Sequence, residues 1–364
     1  MNREISAVSH YIKPEKSITT APILVNWALT NRCNFSCSYC YSRLEKSEEL
    51  STSHARKIIK ILVENKVLFL NLGGGEPLLK KDLFELVSFA KESGLNVTMN
   101  SNGYLLNNSV AHKIKNAGFN GIGISIDSHK AKIHDELRKT SGSHRRAIEA
   151  IRFLKKAGVK VYISSVVCRA NFKEFEELVS FAKKQGVERL NMHNYKCSGM
   201  GFANKDNLDL TPDEWGEFYQ RALDIRSNST GIIVALDDPI LALLKQAKDS
   251  PFENGIDNAL VKGSICGKLT LYLRANADVT PCGFIPISIG NLLKDDLKEL
   301  WTTSPVLQSM RNKTPKGKCR KCKQYEDCWG GCTARAYALR GDFNAPDPHC
   351  WYNPNGSNKK EDNK

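Results

Sequence analysis

Cys33, Cys37 and Cys40 stand in the run Cys33-Asn34-Phe35-Ser36-Cys37-Ser38-Tyr39-Cys40, directly after the apolar segment Ile23 to Leu29. Three thiolates at C-x3-C-x2-C spacing on one short loop can hold three irons of a cubane iron-sulfur cluster. The fourth iron is left without a protein ligand, open to a cofactor or substrate. A structural zinc site wants four ligands, and no second Cys or His pair of the zinc-ribbon kind follows closely. A second group runs through Cys266, Cys282, the block Cys319-x2-Cys322-x5-Cys328-x3-Cys332, and Cys350. Seven thiols in 85 residues, interleaved with glycine and proline, need metal as a staple because the segment offers little else for a core. By ligand type alone, zinc would also serve there.

Cys168 and Cys197 belong to neither group. Cys168 reads as a small core residue, since free thiols bury readily. Cys197, in Tyr195-Lys196-Cys197-Ser198-Gly199-Met200-Gly201, follows a predicted strand. It could donate a hydrogen atom, complete an iron-sulfur cluster, or be an ordinary loop thiol.

Strand and helix patterns alternate around these residues. Apolar, β-branched runs at Ile23 to Leu29, Val67 to Leu72, Asn96 to Met99, Gly121 to Ile126, Val159 to Val167 and Arg189 to Asn194 predict strands. Amphipathic stretches at Ser53 to Glu64, Lys81 to Ser93, Ser109 to Ala117, Ser143 to Ala157, Phe172 to Gln185 and Thr211 to Arg226 predict helices, with Ser53, Ser143 and Thr211 as caps. Six such units want an α/β fold with a parallel sheet, an open six-unit (β/α) barrel. Reactive groups collect where barrel strands end. The cysteine loop follows the first strand, and the second runs into Gly73-Gly74-Gly75-Glu76-Pro77, whose glycines let backbone groups approach a small polar ligand. The third ends in Asn100-Ser101-Asn102-Gly103, and the fourth in Ser125-Ile126-Asp127, followed by His134-Asp135 and Arg138. As plain turn chemistry, Asp127 and His134 are loop caps and Arg138 a surface cation.

The cysteine loop, with aromatic Tyr39 before its last cysteine, resembles the radical SAM superfamily. Gly73 to Pro77 resembles that family's GGEP motif, and the two later strand ends resemble its TNG turn and S-[LI]-D segment. The resemblance implies S-adenosyl-L-methionine (SAM) bound to a 4Fe-4S cluster at Cys33, Cys37 and Cys40, reductively cleaved to a 5'-deoxyadenosyl radical. It implies cofactor contacts from Tyr39, Gly74, Gly75, Glu76, Asn102, Ser125, Asp127 and Arg138. The protein's part is then to aim the radical and exclude water.

The C-terminal cysteines resemble the SPASM domain, which carries two auxiliary 4Fe-4S clusters. That resemblance implies an outer cluster on Cys319, Cys322, Cys328 and Cys350, and an inner one on Cys266, Cys282 and Cys332. Members with a complete inner cluster have a further cysteine shortly before the first of these, but Glu253 to Ser264 holds none, leaving an open iron. The pattern's usual glycine before the second cysteine is replaced by Ala277. The expected organisation is an N-terminal segment 1–22, a partial barrel 23–226, a linker or helical connection 227–260, a SPASM domain 261–352 and a disordered tail 353–364.

The resemblance implies an oxidoreductase that matures ribosomally made peptides by cross-linking, epimerisation or oxidation, with a flavodoxin- or ferredoxin-type electron donor. The other readings are tetrapyrrole side-chain modification, sulfatase maturation, or a non-enzymatic electron carrier. Sulfatase maturases typically carry an aspartate after the Pro-Cys of the inner cluster, where this chain has Gly283. An electron carrier would need neither the glycine loop nor six barrel units. A leader-binding domain does not fit in the 22 residues before the first strand, so a peptide would be held by a carrier protein or by the barrel and SPASM surfaces. The net charge of +14 suits an acidic leader or tetrapyrrole propionates equally. The cations are spread over helix faces rather than forming one aromatic-interleaved stripe, which argues against nucleic acid. No segment is long and apolar enough to span a bilayer and no signal architecture opens the chain, so a cytoplasmic location is expected.

Overall fold

The computed structural model describes residues 19–42, 47–244 and 262–353. Most of segment 1–22, part of 227–260, and the tail beyond residue 353 lie outside the described residues.

The six predicted strands form as β1 (Leu24–Thr30), β2 (Phe69–Gly74), β3 (Asn96–Ser101), β4 (Gly121–Ser125), β5 (Val161–Val167) and β6 (Arg189–Asn194). Each pairs in parallel with the next, and β7 (Ile233–Leu236), within the stretch 227–260, continues the series. Between them run α1 (Thr52–Glu64), α2 (Leu83–Glu92), α3 (Asn108–Ala117), α4 (Ala131–Arg138), α5 (Ser143–Lys156) and α6 (Phe175–Lys184), with α7 (Pro212–Asn228) before β7. The predicted helix from Phe172 opens as a 3-10 turn, Phe172–Glu174. No prediction covered α4, whose apolar pattern is little more than Ile133 and Leu137, one i,i+4 pair.

Alternation along the strands divides the sheet into two faces. Val25, Trp27, Leu29, Leu70, Leu72, Val97, Met99, Ile122, Ile124, Ile163, Leu190 and Met192 join one apolar core with Ile58, Leu62, Leu86, Ile114, Ile151 and Leu178 of the helices. Burying each such side chain contributes roughly 1.5–3 kcal/mol. The opposite register is polar. Asn71 Nδ2 donates to Asn26 Oδ1 (2.9 Å), Thr98 Oγ1 to Asn71 Oδ1 (3.1 Å), and Ser164 Oγ to Asn100 Oδ1 (3.1 Å). The barrel therefore has an apolar outside under helices and a hydrogen-bonding inside.

Thr211 caps α7 in a full capping box with Glu214. The other two expected caps are corrected. Ser51, not Ser53, caps α1, its side chain accepting from the His54 N–H. Gly142 in left-handed geometry precedes α5, and Ser143 donates to Asp135 instead.

The C-terminal segment extends the barrel's own sheet. β8 (Thr270–Leu273) pairs in parallel with β1, and β9 (Asp278–Thr280) and β10 (Gly290–Asn291) follow antiparallel, giving the order β10-β9-β8-β1-β2-β3-β4-β5-β6-β7. The turn before β9 forms without its usual glycine: Ala277 takes φ 70°, a left-handed conformation that costs a non-glycine residue about 1–2 kcal/mol. Its buried methyl group in the core offsets part of that cost. Beyond β10 lie α8 (Leu297–Thr303), α9 (Pro305–Arg311) and α10 (Thr333–Arg340).

Candidate active site

The loop after β1 is fitted against the loop after β2. Gly75 N–H donates to Thr30 O (2.7 Å) and Glu76 N–H to Arg32 O (2.8 Å). A Cβ on Gly75 would lie 2.0 Å from Arg32 O, and one on Gly74, at φ +102°, 2.6 Å from Thr30 O. These two glycines thus admit the backbone of the cysteine loop, where the sequence suggested that they admit a ligand. Gly73 differs, because a Cβ there would meet nothing within 4 Å.

The Glu76 carboxylate is fully enclosed. It accepts from Ser101 Oγ (2.8 Å), the Asn102 N–H (2.8 Å) and the Leu78 N–H (3.2 Å). Burial raises its pKa, and these hydrogen bonds work against that rise. Asn102 Nδ2 donates in turn to Asn34 Oδ1 (2.8 Å), so β2, β3 and the cysteine loop are sewn together by side chains.

Tyr39, Asp127 and Arg138 form a second tie. Arg138 Nε donates to Asp127 Oδ2 (2.8 Å) and its terminal nitrogen to Oδ1 (3.2 Å); the Tyr39 hydroxyl donates to Oδ2, and the Val166 N–H to Oδ1 (3.0 Å). Burial alone would raise the Asp127 carboxyl, but the Arg138 guanidinium beside it holds it below its usual value. Every Asp127 oxygen is therefore engaged within the protein, since Asn171 Nδ2 donates to its carbonyl (2.7 Å). The geometry gives Tyr39, Asp127 and Arg138 the work of orienting the cysteine loop. His134 accepts from the Asp127 N–H (3.2 Å), and burial drives its pKa down to about 4. Ser125 ends β4, half-buried.

All twelve cysteines are free thiols. Burial pushes Cys37 up to about 12 and raises Cys33, so both keep a proton until a metal displaces it. Cys266, Cys282 and Cys332 line one cavity of about 130 Å³ together with Lys196, Ser264 and Phe284. A hydrogen bond with Cys282 draws the Cys266 thiol down to about 7 and pushes Cys282 up. Cys319, Cys322, Cys328 and Cys350 line another, with Lys318 and Asp347. Three undisulfided sets of thiols, each gathered in one place, suit iron-sulfur clusters.

Aromatic rings join the first set to the second. Tyr41, next to Cys40, lies 4.6 Å from Phe284 and 6.0 Å from Tyr272 between ring centroids. A Cβ on Gly283 would come within 2.8 Å of the Tyr272 ring and 3.0 Å of Tyr41. An aspartate at this position would have to push the Tyr272 ring aside.

Cys197, which the sequence left open as a hydrogen-atom donor, a cluster ligand or an ordinary loop thiol, is held inside the protein. It is 3% exposed, packed in the barrel core, and donates to Asp209 Oδ2 (3.3 Å). Asp209 also binds Trp215 Nε1 (3.1 Å) and His349 Nε2 (2.9 Å). The chain turns inward after Asn194, where Tyr195 is buried with its hydroxyl on Gly201 O.

Sequence reasoning missed a buried ionic cluster. Arg335 donates to Asp238 Oδ2 (2.6 Å) and Oδ1 (2.9 Å) and to Asp347 Oδ1 (2.8 Å), and Asp347 Oδ2 accepts from the Cys332 N–H (2.7 Å). From Asp238 the chain of bonds continues through Tyr219 (2.8 Å) and Asn194 (3.0 Å) to Lys196. Its partners lie as far as 97 residues apart, so no local pattern marks them.

The model of the radical SAM superfamily matches residues 27–182, and that of the SPASM iron-sulfur cluster-binding domain residues 266–323. The chain belongs to the radical SAM superfamily, carries a SPASM domain, and is an enzyme. It is 30% identical over 342 residues to the mycofactocin maturase of Mycolicibacterium smegmatis, covering 91% of this chain and 83% of that protein. It is 29% identical over 348 residues to the AdoMet-dependent heme synthase of Methanosarcina barkeri, covering 93% and 99% respectively. Its fold is shared with Streptococcus suis SuiB bound to S-adenosylmethionine, at a TM-score of 0.75 and 18% identity over 96% of this chain and 81% of that one. SAM and 4Fe-4S clusters are its cofactors. Among the described residues no helix is long and apolar enough to cross a membrane.

Proposed function

We propose that this enzyme matures a ribosomally made peptide, taking a hydrogen atom from a peptide carbon and so enabling cross-linking, epimerisation or oxidation. The observation that carries this reading is the arrangement of Cys33, Cys37 and Cys40 at the mouth of a polar barrel, joined by Tyr41 and Phe284 to the Cys266, Cys282 and Cys332 cavity. Cys33, Cys37 and Cys40 would hold the cluster at which SAM binds, and that pair would supply the radical. Gly73 borders the space for the methionine end of SAM, and the polar inner face receives the substrate. The cluster count under this reading is three, with the inner cluster lacking a fourth cysteine. A flavodoxin- or ferredoxin-type protein supplies electrons, and the reaction takes place in the cytoplasm.

The relationship to mycofactocin maturase supports a peptide, as does the peptide-bound SuiB fold. Tetrapyrrole modification is the second reading, favoured by the match that spans 99% of the heme synthase. Anaerobic turnover with SAM and dithionite decides between them. The expected result is 5'-deoxyadenosine formation stimulated by a short peptide encoded beside this chain's gene, with a mass change in that peptide. Stimulation by an iron porphyrin carrying propionates, and not by the peptide, would overturn the peptide assignment. No 5'-deoxyadenosine under any condition would overturn both.

A further inference from the structure

The segment Arg311 to Lys323 carries seven cations and no carboxylate. Two of them, Arg311 and Lys313, are buried. The other five, Lys316, Lys318, Arg320, Lys321 and Lys323, are exposed and surround Cys319 and Cys322 in sequence. The 3-10 turn Gly317–Lys321 buries the Cys319 side chain while its neighbours point out to solvent. Lys316 pairs with Asp342 (2.6 Å), and Lys318 donates to Cys350 O (2.6 Å), the carbonyl of another thiol of the same set. Arg320, Lys321 and Lys323 have no ion pair or hydrogen bond among the described residues. The acids nearest in sequence are Glu326, 4.0 Å from Lys262, and Asp327, which has a partner of its own.

Concentrated charge of one sign on an exposed turn creates a field that steers an oppositely charged partner and fixes where it lands. Here the turn itself carries Cys319, and Lys318 lines the cavity of Cys319, Cys322, Cys328 and Cys350. From this geometry we infer that the turn carrying Lys318, Arg320, Lys321 and Lys323 is the docking surface for an acidic one-electron carrier protein. The inference rests on the reading that these four thiols hold an iron-sulfur cluster. A peptide substrate is the weaker occupant, because its reacting carbon must reach the Cys33 loop. The thiols bordering that loop through Tyr41 and Phe284 are those of the other cavity. In the transfer, the anionic flavin hydroquinone of the carrier loses one electron and becomes the neutral semiquinone. The oxidised cluster on Cys319, Cys322, Cys328 and Cys350 gains that electron.

The test uses the full chain with its clusters reconstituted and a bacterial flavodoxin as the probe, binding being followed by calorimetry. Affinity should fall steeply between about 20 and 300 mM salt. The triple change Arg320→Gln, Lys321→Gln and Lys323→Gln should weaken binding at low salt by about tenfold or more and flatten the salt dependence. A control removing the same charge from the exposed barrel helices, Lys57→Gln, Lys60→Gln and Lys184→Gln, should leave affinity near that of the parent. Equal weakening by both sets would mean that only total charge matters and would overturn the docking site, as would salt-independent binding. Competition by a polyglutamate peptide as strong as that by flavodoxin would reassign the patch to acidic peptides. Iron content measured on each protein separates these results from failure of the cluster reading: a chain that holds no iron at the SPASM cysteines removes the premise rather than the surface.

Discussion

Gly73 and Gly75 stand two residues apart and face different neighbours. A side chain on Gly75 drives into the Arg32 carbonyl, so Gly75→Val should distort the cysteine loop and lower both iron content and SAM cleavage. At Gly73 the added atoms enter open space, so Gly73→Val should keep the iron and lose only SAM cleavage. Iron analysis beside 5'-deoxyadenosine yield checks the pair, and equal iron loss in both would remove the distinction. The GGEP pattern was legible in the sequence, but its division of labour was not, because it depends on what the β1 loop places against each glycine. Asp127 and Arg138 teach the same lesson, since turn chemistry reads them as a loop cap and a surface cation, the family resemblance marks them as site residues, and only the fold shows them bound to Tyr39 and to each other. His134 gives a pH dependence. Its pKa is near 4 in the folded protein, below the ordinary value of 6.5, so the unfolded chain binds more protons between those values. Stability should therefore fall as pH drops from about 6.5 toward 4, and His134→Gln should flatten that slope in a urea titration series. An unchanged slope would exclude His134 as the titrating group.

At the level of elements, the junction of α10 with the 3-10 turn after β7 depends on Arg335. Its guanidinium and the carboxylates of Asp238 and Asp347 are all but fully buried. Such a cluster contributes little net stability as a whole, but taking away one member leaves uncompensated charge inside the protein. Arg335→Met strands two aspartates and should cost about 3–5 kcal/mol, read as a lower urea midpoint. Pairing it with Asp238→Asn should recover part of the loss, and a single variant within about 1 kcal/mol of the parent would show that the carboxylates find other partners. Strands β1 to β6 were readable because each carries its own alternating or apolar run. β7 and β8 were not, since each has four residues and nothing local tells β8 to join the β1 edge rather than a sheet of its own. The helical caps show a similar limit, where Thr211 with Pro212 and Glu214 announced α7, whereas Ser53 was read as the cap of α1 and Ser51, two residues earlier and of the same type, does the capping.

Over the whole molecule, ten of the twelve cysteines fall into three spatial sets, and the two outside them, Cys168 and Cys197, are buried in the barrel core. Spacing showed the Cys33 loop and the Cys319 to Cys332 block, because metal ligands must be close together, whereas the sorting of Cys332 with Cys266 and Cys282, and of Cys350 with Cys319, Cys322 and Cys328, came only with the SPASM resemblance. The sequence did not show that the second cavity touches the first loop through Tyr41 and Phe284, since that contact crosses more than two hundred residues. Three sets of thiols predict three cubanes and about twelve irons per chain after anaerobic reconstitution. The first set is built apart from the two SPASM sets: Cys33, Cys37 and Cys40 hang on β1 and are held by Glu76, Asn102 and Asp127, whereas Cys332 and Cys350, one from each SPASM set, are both held by Asp347. Cys40→Ala should therefore remove about a third of the iron while leaving the remaining spectrum and the urea midpoint close to the parent's. Cys332→Ala should remove a different third, and the combined loss in the double variant should be the sum of the two, as expected for sites without shared ligands. A parent holding only about four irons would contradict the two SPASM sites, and loss of all iron from Cys40→Ala would contradict their independence.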